Sequence, residues 1–340
     1  MDSLTQIVLG AACGEIALGK KIGNKALLFG AIGGTIPDLD VFIGSLLYSN
    51  SIDELIFHRG FMHSIVFAFL GSYVFGHGTF KLYNTKKRIG TTTYRDWIWL
   101  FFLSIFTHPL LDSFTPYGTQ LFLPFSDYRV AFNTIAVVDP IYTVPFLISL
   151  IILMFFKRTS SKRSFWLKSG VYLSSAYLLF TIGNKIYIDR VFKNALSESK
   201  IDYQRYSAQP TIFNNILWYA IVETKEDYKV SFYSHFDTQK PKNNFISLPK
   251  NHELLPMKQN ADLKKLSWFS NDFYNLQQID SNRIRYNDLR YPLLNPEDKN
   301  SSVFSFEIKK NGNRWEAMPL YDKTPTKEDL QKFWNRVLGN

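Results

Sequence analysis

Six apolar stretches crowd the first 190 residues, at about 4–19, 25–47, 61–80, 96–112, 140–156 and 166–188. Most approach the roughly 20 residues that an α-helix needs to cross about 30 Å of hydrocarbon. Such stretches have to be covered by lipid or by one another, which leaves few architectures open. The expected fold is an α-helical polytopic membrane bundle of about six spans. The first and fourth stretches are short for a bilayer and require tilt or partial burial. The first is also rich in Gly and Ala, as helices in close contact are.

Charge follows the same pattern. Residues 1–189 carry 16 of the 39 Lys+Arg and 11 of the 29 Asp+Glu, and 13 of those 16 cations fall in three clusters. Lys20, Lys21 and Lys25 follow the first stretch; Lys81, Lys86, Lys87, Arg88 and Arg95 follow the third; Lys157, Arg158, Lys162, Arg163 and Lys168 follow the fifth. The alternate loops hold only Arg59 and Arg129. By the positive-inside rule the clusters are cytoplasmic, so the N-terminus and the C-terminal domain are expected outside, in an integral multi-pass inner-membrane protein. The net charge of +10 would raise nucleic acid as a partner, but topology explains these clusters better. No basic n-region precedes the first stretch, so no cleaved signal peptide is expected. Cys13 stands alone, which excludes an internal disulfide and every Cys-rich zinc motif.

The division expected is 1–189 as the bundle and 190–340 as a soluble, mixed, β-rich domain. Residues 216–223 and 229–236 read as one hairpin, and 303–308 and 314–318 as another around Asn311-Gly312. Residues 262–273 and 326–338 read as helices, the latter N-capped by Thr326. This tail carries no catalytic motif.

Ionisable residues at the ends of apolar stretches are expensive and mark function. Asp38 and Asp40 close the second stretch, His58 and His63 open the third, His108 and Asp112 close the fourth, and Asp139 opens the fifth; Asp2 opens the first. In the expected topology all lie on the outer side. His108 and Asp112 are four residues apart, hence on one helical face. Imidazole and carboxylate without thiolate suit zinc, iron or manganese. The number of such groups allows one or two ions, a pair being suited to hydrolysis. Taken singly, the His108–Asp112 pair reads as a helix-end polar contact and Asp38-x-Asp40 after Pro37 as a turn; the metal reading rests on the cluster as a whole. His77, His235 and His252 lie apart and read as structural, and Glu15 as a buried acid paired with a lysine.

These motifs, together with Met-Asp-Ser-Leu-Thr at the start and the segment from Thr115 to Ser126, resemble the membrane-bound metal-dependent hydrolases. That family includes the inner-membrane protein YdjM, described as LexA-binding. The resemblance covers about residues 1–190, and the family is more remotely similar to zinc-dependent phospholipase C and P1-type nucleases. It implies metal ligands among Asp38, Asp40, His58, His63, His108 and Asp112, with zinc the expected ion. The family has His after its Asp-x-x-Thr opening, whereas this chain has Gln6, a poor ligand.

The expected activity is hydrolysis of a lipid or phosphoester at the outer membrane face by metal-activated water. Asp40 or Asp139 would be the base, and Arg129 a contact to an anionic substrate group. The alternatives are a non-enzymatic membrane regulator or scaffold with a structural metal, and an ion-coupled transporter. Transport fits worse, because the ionisable groups gather at one face rather than along a path.

Overall fold

The computed structural model describes residues 1–241, 244–255, 260–292, 302–311, 314–320 and 326–339. The chain divides into two compact units. The first comprises Met1–Leu47, Phe57–Gly183 and Ile212–Asn214; the second comprises Tyr48–Ile56, Asn184–Thr211 and Asn215–Asn340.

The first unit is helical. Helix α1 (Ser3–Ile22) starts at Asp2, whose carboxylate accepts from the Thr5 amide at 3.1 Å, and stops at Gly23 with φ +62°. Helix α2 (Asn24–Thr35) folds back along it. The two backbones nearly touch: a Cβ added at Gly10 or Gly14 would overlap the carbonyl of Gly30 or Ala26, and one at Gly34 the carbonyl of Gln6. Small residues are what permit that approach. It brings the C-terminal end of α2 beside Gln6, which matters for the site below.

Pro37 opens a 3-10 turn (Pro37–Leu39) that runs into α3 (Asp40–Leu47). Helix α4 (Ser51–Phe57) and a second 3-10 turn (Phe61–His63) lead to α5 (Ile65–Tyr83), capped by Ser64 on the Phe67 amide. Helix α6 (Tyr94–Asp112) begins in a capping box between Thr93 and Asp96. Helix α7 (Pro140–Met154) is capped by Asp139, with Pro140 at its first position. Helix α8 (Ser161–Glu198) follows, its residues from Asn184 onward belonging to the second unit. Two apolar clusters fill this unit, one around Leu27, Tyr142 and Phe146, the other around Trp97, Leu100 and Ile105. Glu15 is buried with a cation, but the partner is Arg163 rather than a lysine, in two 2.7 Å hydrogen bonds.

The six-span bundle is not what these helices form. Among the described residues one helix, α5, is long and apolar enough to cross a membrane. A second span exists only if α2 and Pro37–Leu47, bent by 45°, count together. The physical reasons are local. The first stretch is diluted by Gly and Glu15, and its helix ends in Lys20 and Lys21. The fourth contains Asp96, Ser104, Thr107, His108 and Asp112 within α6. The fifth gives a helix of 15 residues, about 22 Å long at 1.5 Å per residue. The sixth is part of a 38-residue helix containing Lys168, Asn184 and Lys185. An orientation argument that counts alternating loops therefore has no six crossings to alternate.

The second unit holds two four-stranded antiparallel sheets, each in simple meander order. The first is β1 (Arg205–Pro210), β2 (Leu217–Glu223), β3 (Asp227–Ser234) and β4 (Ile246–Pro249). The second is β5 (Tyr274–Asp280), β6 (Arg283–Asp288), β7 (Ser305–Asn311) and β8 (Arg314–Leu320). Both expected hairpins form, as β2–β3 and β7–β8. Gly312 of the second turn lies outside the described residues. Helix α9 (Ala261–Phe269) ends earlier than expected, at Ser270; α10 (Lys327–Val337) carries the expected Thr326 cap, in a capping box with Asp329. Residues 48–56 belong here too. Ile52 is fully buried with Leu263 and Leu266, and Lys265 pairs with Asp53.

Candidate metal centre

Three ligand atoms from three segments of the first unit converge. Asp38 stands on the turn begun by Pro37, His63 ends the turn before α5, and His108 lies in the last turn of α6. The Nε2 atoms of His63 and His108 are 3.2 Å apart, and Asp38 Oδ1 is 3.4 Å from each. Bonds of about 2.0–2.1 Å around a tetrahedral ion put neighbouring ligand atoms about 3.3–3.4 Å apart. The triangle has that size, and its members are chemically suited to a transition metal. Both rings are buried, whereas the Asp38 side chain is 25% exposed, so the triangle opens to the surface on its carboxylate side.

The surroundings orient these ligands. His108 Nδ1 donates to the Gly34 carbonyl at 2.6 Å, which leaves the Nε2 lone pair directed at the triangle. The glycine contact between α1 and α2 sets where that carbonyl lies. Behind His63, Asp40 Oδ2 stands 3.1 Å from Nδ1. Burial alone would lower the His63 pKa, but Asp38 and Asp40 outweigh it and raise it. The pocket thus favours a positive charge where the rings meet, whether a proton or a metal supplies it.

Asp112, one turn beyond His108, places Oδ2 3.6 Å from both Nε2 atoms. That oxygen is buried without a hydrogen-bond partner, as is Gln6 Oε1. The other carboxylate oxygen accepts from Gln6 Nε2 at 2.8 Å and meets the Met1 ammonium. Burial would push the Asp112 carboxyl up, but Arg59 and that ammonium hold it below the usual carboxylate range.

The other expected site residues are placed as follows. Asp40 uses both oxygens: Oδ1 meets His58 Nδ1 at 2.8 Å, and Oδ2 accepts from the Arg59 amide at 3.0 Å. His58 therefore points Nδ1 at a carboxylate, and its ring lies edge-on to His63 at 5.6 Å. Arg129 donates to the Tyr117 and Gly118 carbonyls, both at 3.0 Å. Asp139 is engaged with the Ile141 and Tyr142 amides of its own helix and with the Tyr177 hydroxyl at 2.9 Å. Asp2 caps α1. His77 stacks on Tyr73, and His235 and His252 make local contacts in the second unit.

Arg59 is the residue that sequence reasoning passed over as a lone loop cation. Its φ is +62°, and its buried guanidinium puts Nε 3.2 Å from Asp112 Oδ2 and Nη1 3.2 Å from Thr115 Oγ1. Arg59 and Arg129 both lie over the Tyr117 ring, at 4.3 and 5.2 Å from its centroid. The signal was present: Arg59 sits within the His-Arg-Gly-Phe-Met-His run, beside two candidate ligands.

The family profile described as "YdjM inner membrane protein" matches residues 1–187, a span that contains every residue of this site. The chain is 31% identical over 147 residues to "Uncharacterized protein YfhP" of Bacillus subtilis (strain 168), covering 41% of this chain and 42% of that protein. It is 32% identical over 120 residues to "Inner membrane protein YbcI" of Escherichia coli (strain K12), covering 34% of this chain and 64% of that one. The matches thus span less than two-thirds of either relative. No solved structure matches the chain. With more than half of its length under one family profile, the chain belongs to the YdjM inner membrane protein family.

Proposed function

We propose that this protein is a metal-dependent hydrolase of an anionic ester, a lipid or another phosphoester, working at the membrane surface. The observation that carries the reading is the triangle of His63 Nε2, His108 Nε2 and Asp38 Oδ1, with sides of 3.2 and 3.4 Å and an exposed edge. Three protein ligands with an open position are the pattern of a catalytic rather than a structural site. The ion we expect is zinc, whose Lewis acidity would polarise an ester oxygen and acidify water. Asp40 positions His63 and His58, and His58 is placed to carry a proton. Arg59 and Arg129 supply a positive field suited to an anionic substrate.

We infer the orientation from α5 and its flanking charge. Its first turn adjoins His63, while Lys81, Lys86, Lys87 and Arg88 crowd its other end. The positive-inside rule then puts that end in the cytoplasm and the site outside.

The test is metal analysis of detergent-purified full-length protein together with turnover of a chromogenic phosphodiester. We expect bound transition metal and metal-dependent hydrolysis, both lost in His108→Ala. Absence of metal from wild-type protein at zinc saturation overturns the reading. A second reading, a non-enzymatic membrane protein with a structural ion, is favoured by Asp112, whose Oδ2 is near enough to both rings to close the site as a fourth ligand. Stoichiometric metal without hydrolysis of any ester offered would support it.

A further inference from the structure

The first unit has a cavity of about 770 Å³, lined by α1, the turn after α7 and the first turns of α8. Its charged lining is Glu15, Lys20, Arg158, Arg163 and Lys168. Glu15 and Arg163 neutralise each other in a buried two-pronged pair. Three positive charges are left. Lys20 and Lys168 have no hydrogen-bond or ion-pair partner among the described residues, and Arg158 donates to the Lys21 carbonyl rather than to a carboxylate. The hydroxyls of Ser160, Ser161 and Ser164 share the lining with them. The rest is apolar: Ile16, Leu167, Val171 and Tyr172, of which Ile16 and Tyr172 are 55% and 69% exposed.

We propose that this cavity binds an anionic phospholipid, the phosphate held by Lys20, Arg158 and Lys168 and an acyl chain laid along Ile16, Leu167 and Tyr172. Clustered cations and hydroxyls recognise a phosphate by charge-assisted hydrogen bonds. Unpaired cations beside an apolar wall match a headgroup that carries its own hydrocarbon, which a free anion does not. An inner-membrane protein meets such lipids continuously. This site is separate from the metal centre and does not depend on hydrolysis.

The experiment uses full-length protein in neutral detergent, titrated with nanodiscs of phosphatidylcholine alone or mixed with phosphatidylglycerol, and native mass spectrometry to count retained lipids. We expect phosphatidylglycerol to be retained, at least tenfold more tightly than phosphatidylcholine. Binding should weaken at least tenfold in the Lys20→Ala/Lys168→Ala double variant and persist in Lys20→Arg/Lys168→Arg. Both side chains are exposed, and an unchanged melting temperature shows that the double variant folds. A control with Lys86→Ala and Lys87→Ala, another basic cluster of similar charge, should bind as wild type. The proposal is overturned by equal retention of the two lipids, by wild-type binding in the alanine double variant, or by complete displacement with inorganic phosphate.

Discussion

His63 and His108 point their Nε2 atoms at each other across 3.2 Å, with the opposite nitrogen of His108 already donating to the Gly34 carbonyl. Two lone pairs at that separation repel unless a cation lies between them. Removing either ring should therefore cost metal rather than merely packing. We expect His63→Ala and His108→Ala to lose at least tenfold in zinc affinity, measured by competition with a chromogenic chelator, while His77→Ala retains wild-type affinity. Equal affinity in all three would sink the assignment.

Gln6 stands where the sequence resemblance implies a His, and its amide donates to Asp112 at 2.8 Å and to the His108 carbonyl at 3.2 Å. An imidazole there would stand beside an Asp112 oxygen that lacks a hydrogen-bond partner. Gln6→His should raise metal content from one ion toward two, by elemental analysis under one buffer. Unchanged stoichiometry and affinity would mean that α1 supplies no ligand position.

Chelation should destabilise the first unit. A ligand that binds the folded chain at a hundredfold excess over its dissociation constant contributes about 2.7 kcal/mol. We expect EDTA to lower the melting temperature of wild-type protein and to leave that of His108→Ala unchanged. Identical shifts in both would place the effect of EDTA elsewhere.

The glycine contact between α1 and α2 links folding to ligation. Gly30→Val would drive a side chain into the Gly10 carbonyl, a backbone clash with no rotamer to relieve it. Overpacking of this kind costs about 1–3 kcal/mol or more. Because the same contact places Gly34, the folded fraction of this variant should also bind zinc more weakly. Normal affinity in that fraction would separate the two effects and refute the link.

Glu223 tests the second unit by pH. Burial would raise its pKa, but Lys250 and Arg205 prevail and lower it. A carboxylate depressed in the folded state contributes stability above its unfolded value of about 4.5 and loses it as pH falls through the folded value. Glu223→Gln should therefore destabilise by about 0.5–1 kcal/mol at pH 7 and by less near pH 3. A deficit independent of pH would show that the ion pair is not its source.

The residues brought together at the triangle were legible because each sits in a short local motif: Pro37-Asp38-Leu39-Asp40, His58 to His63, and His108 to Asp112. Hairpins and caps in the tail were legible for the same reason, since their signals span a few residues. The span count was not. An apolar window of 16–23 residues looks the same whether lipid or protein covers it, and Glu15, His108 and Asn184 are each satisfied by partners more than 30 residues away. Residues 48–56 show the same limit: Ile52 gives no hint in sequence that its neighbours are Leu263 and Leu266.

Arg59 reaches one way through its amide to Asp40 and the other through its guanidinium to Asp112. One residue thus braces both carboxylates flanking the histidines, and its left-handed backbone costs of the order of 1 kcal/mol to hold. A brace fixed at both ends has no slack. Under the proposed function, an ion that needs longer bonds in the same three-ligand arrangement would have to spread the pocket against it, so the fold would screen ions by radius. Loosening the brace with Arg59→Gly, which keeps the backbone turn and removes the strut, would trade that selectivity for tolerance.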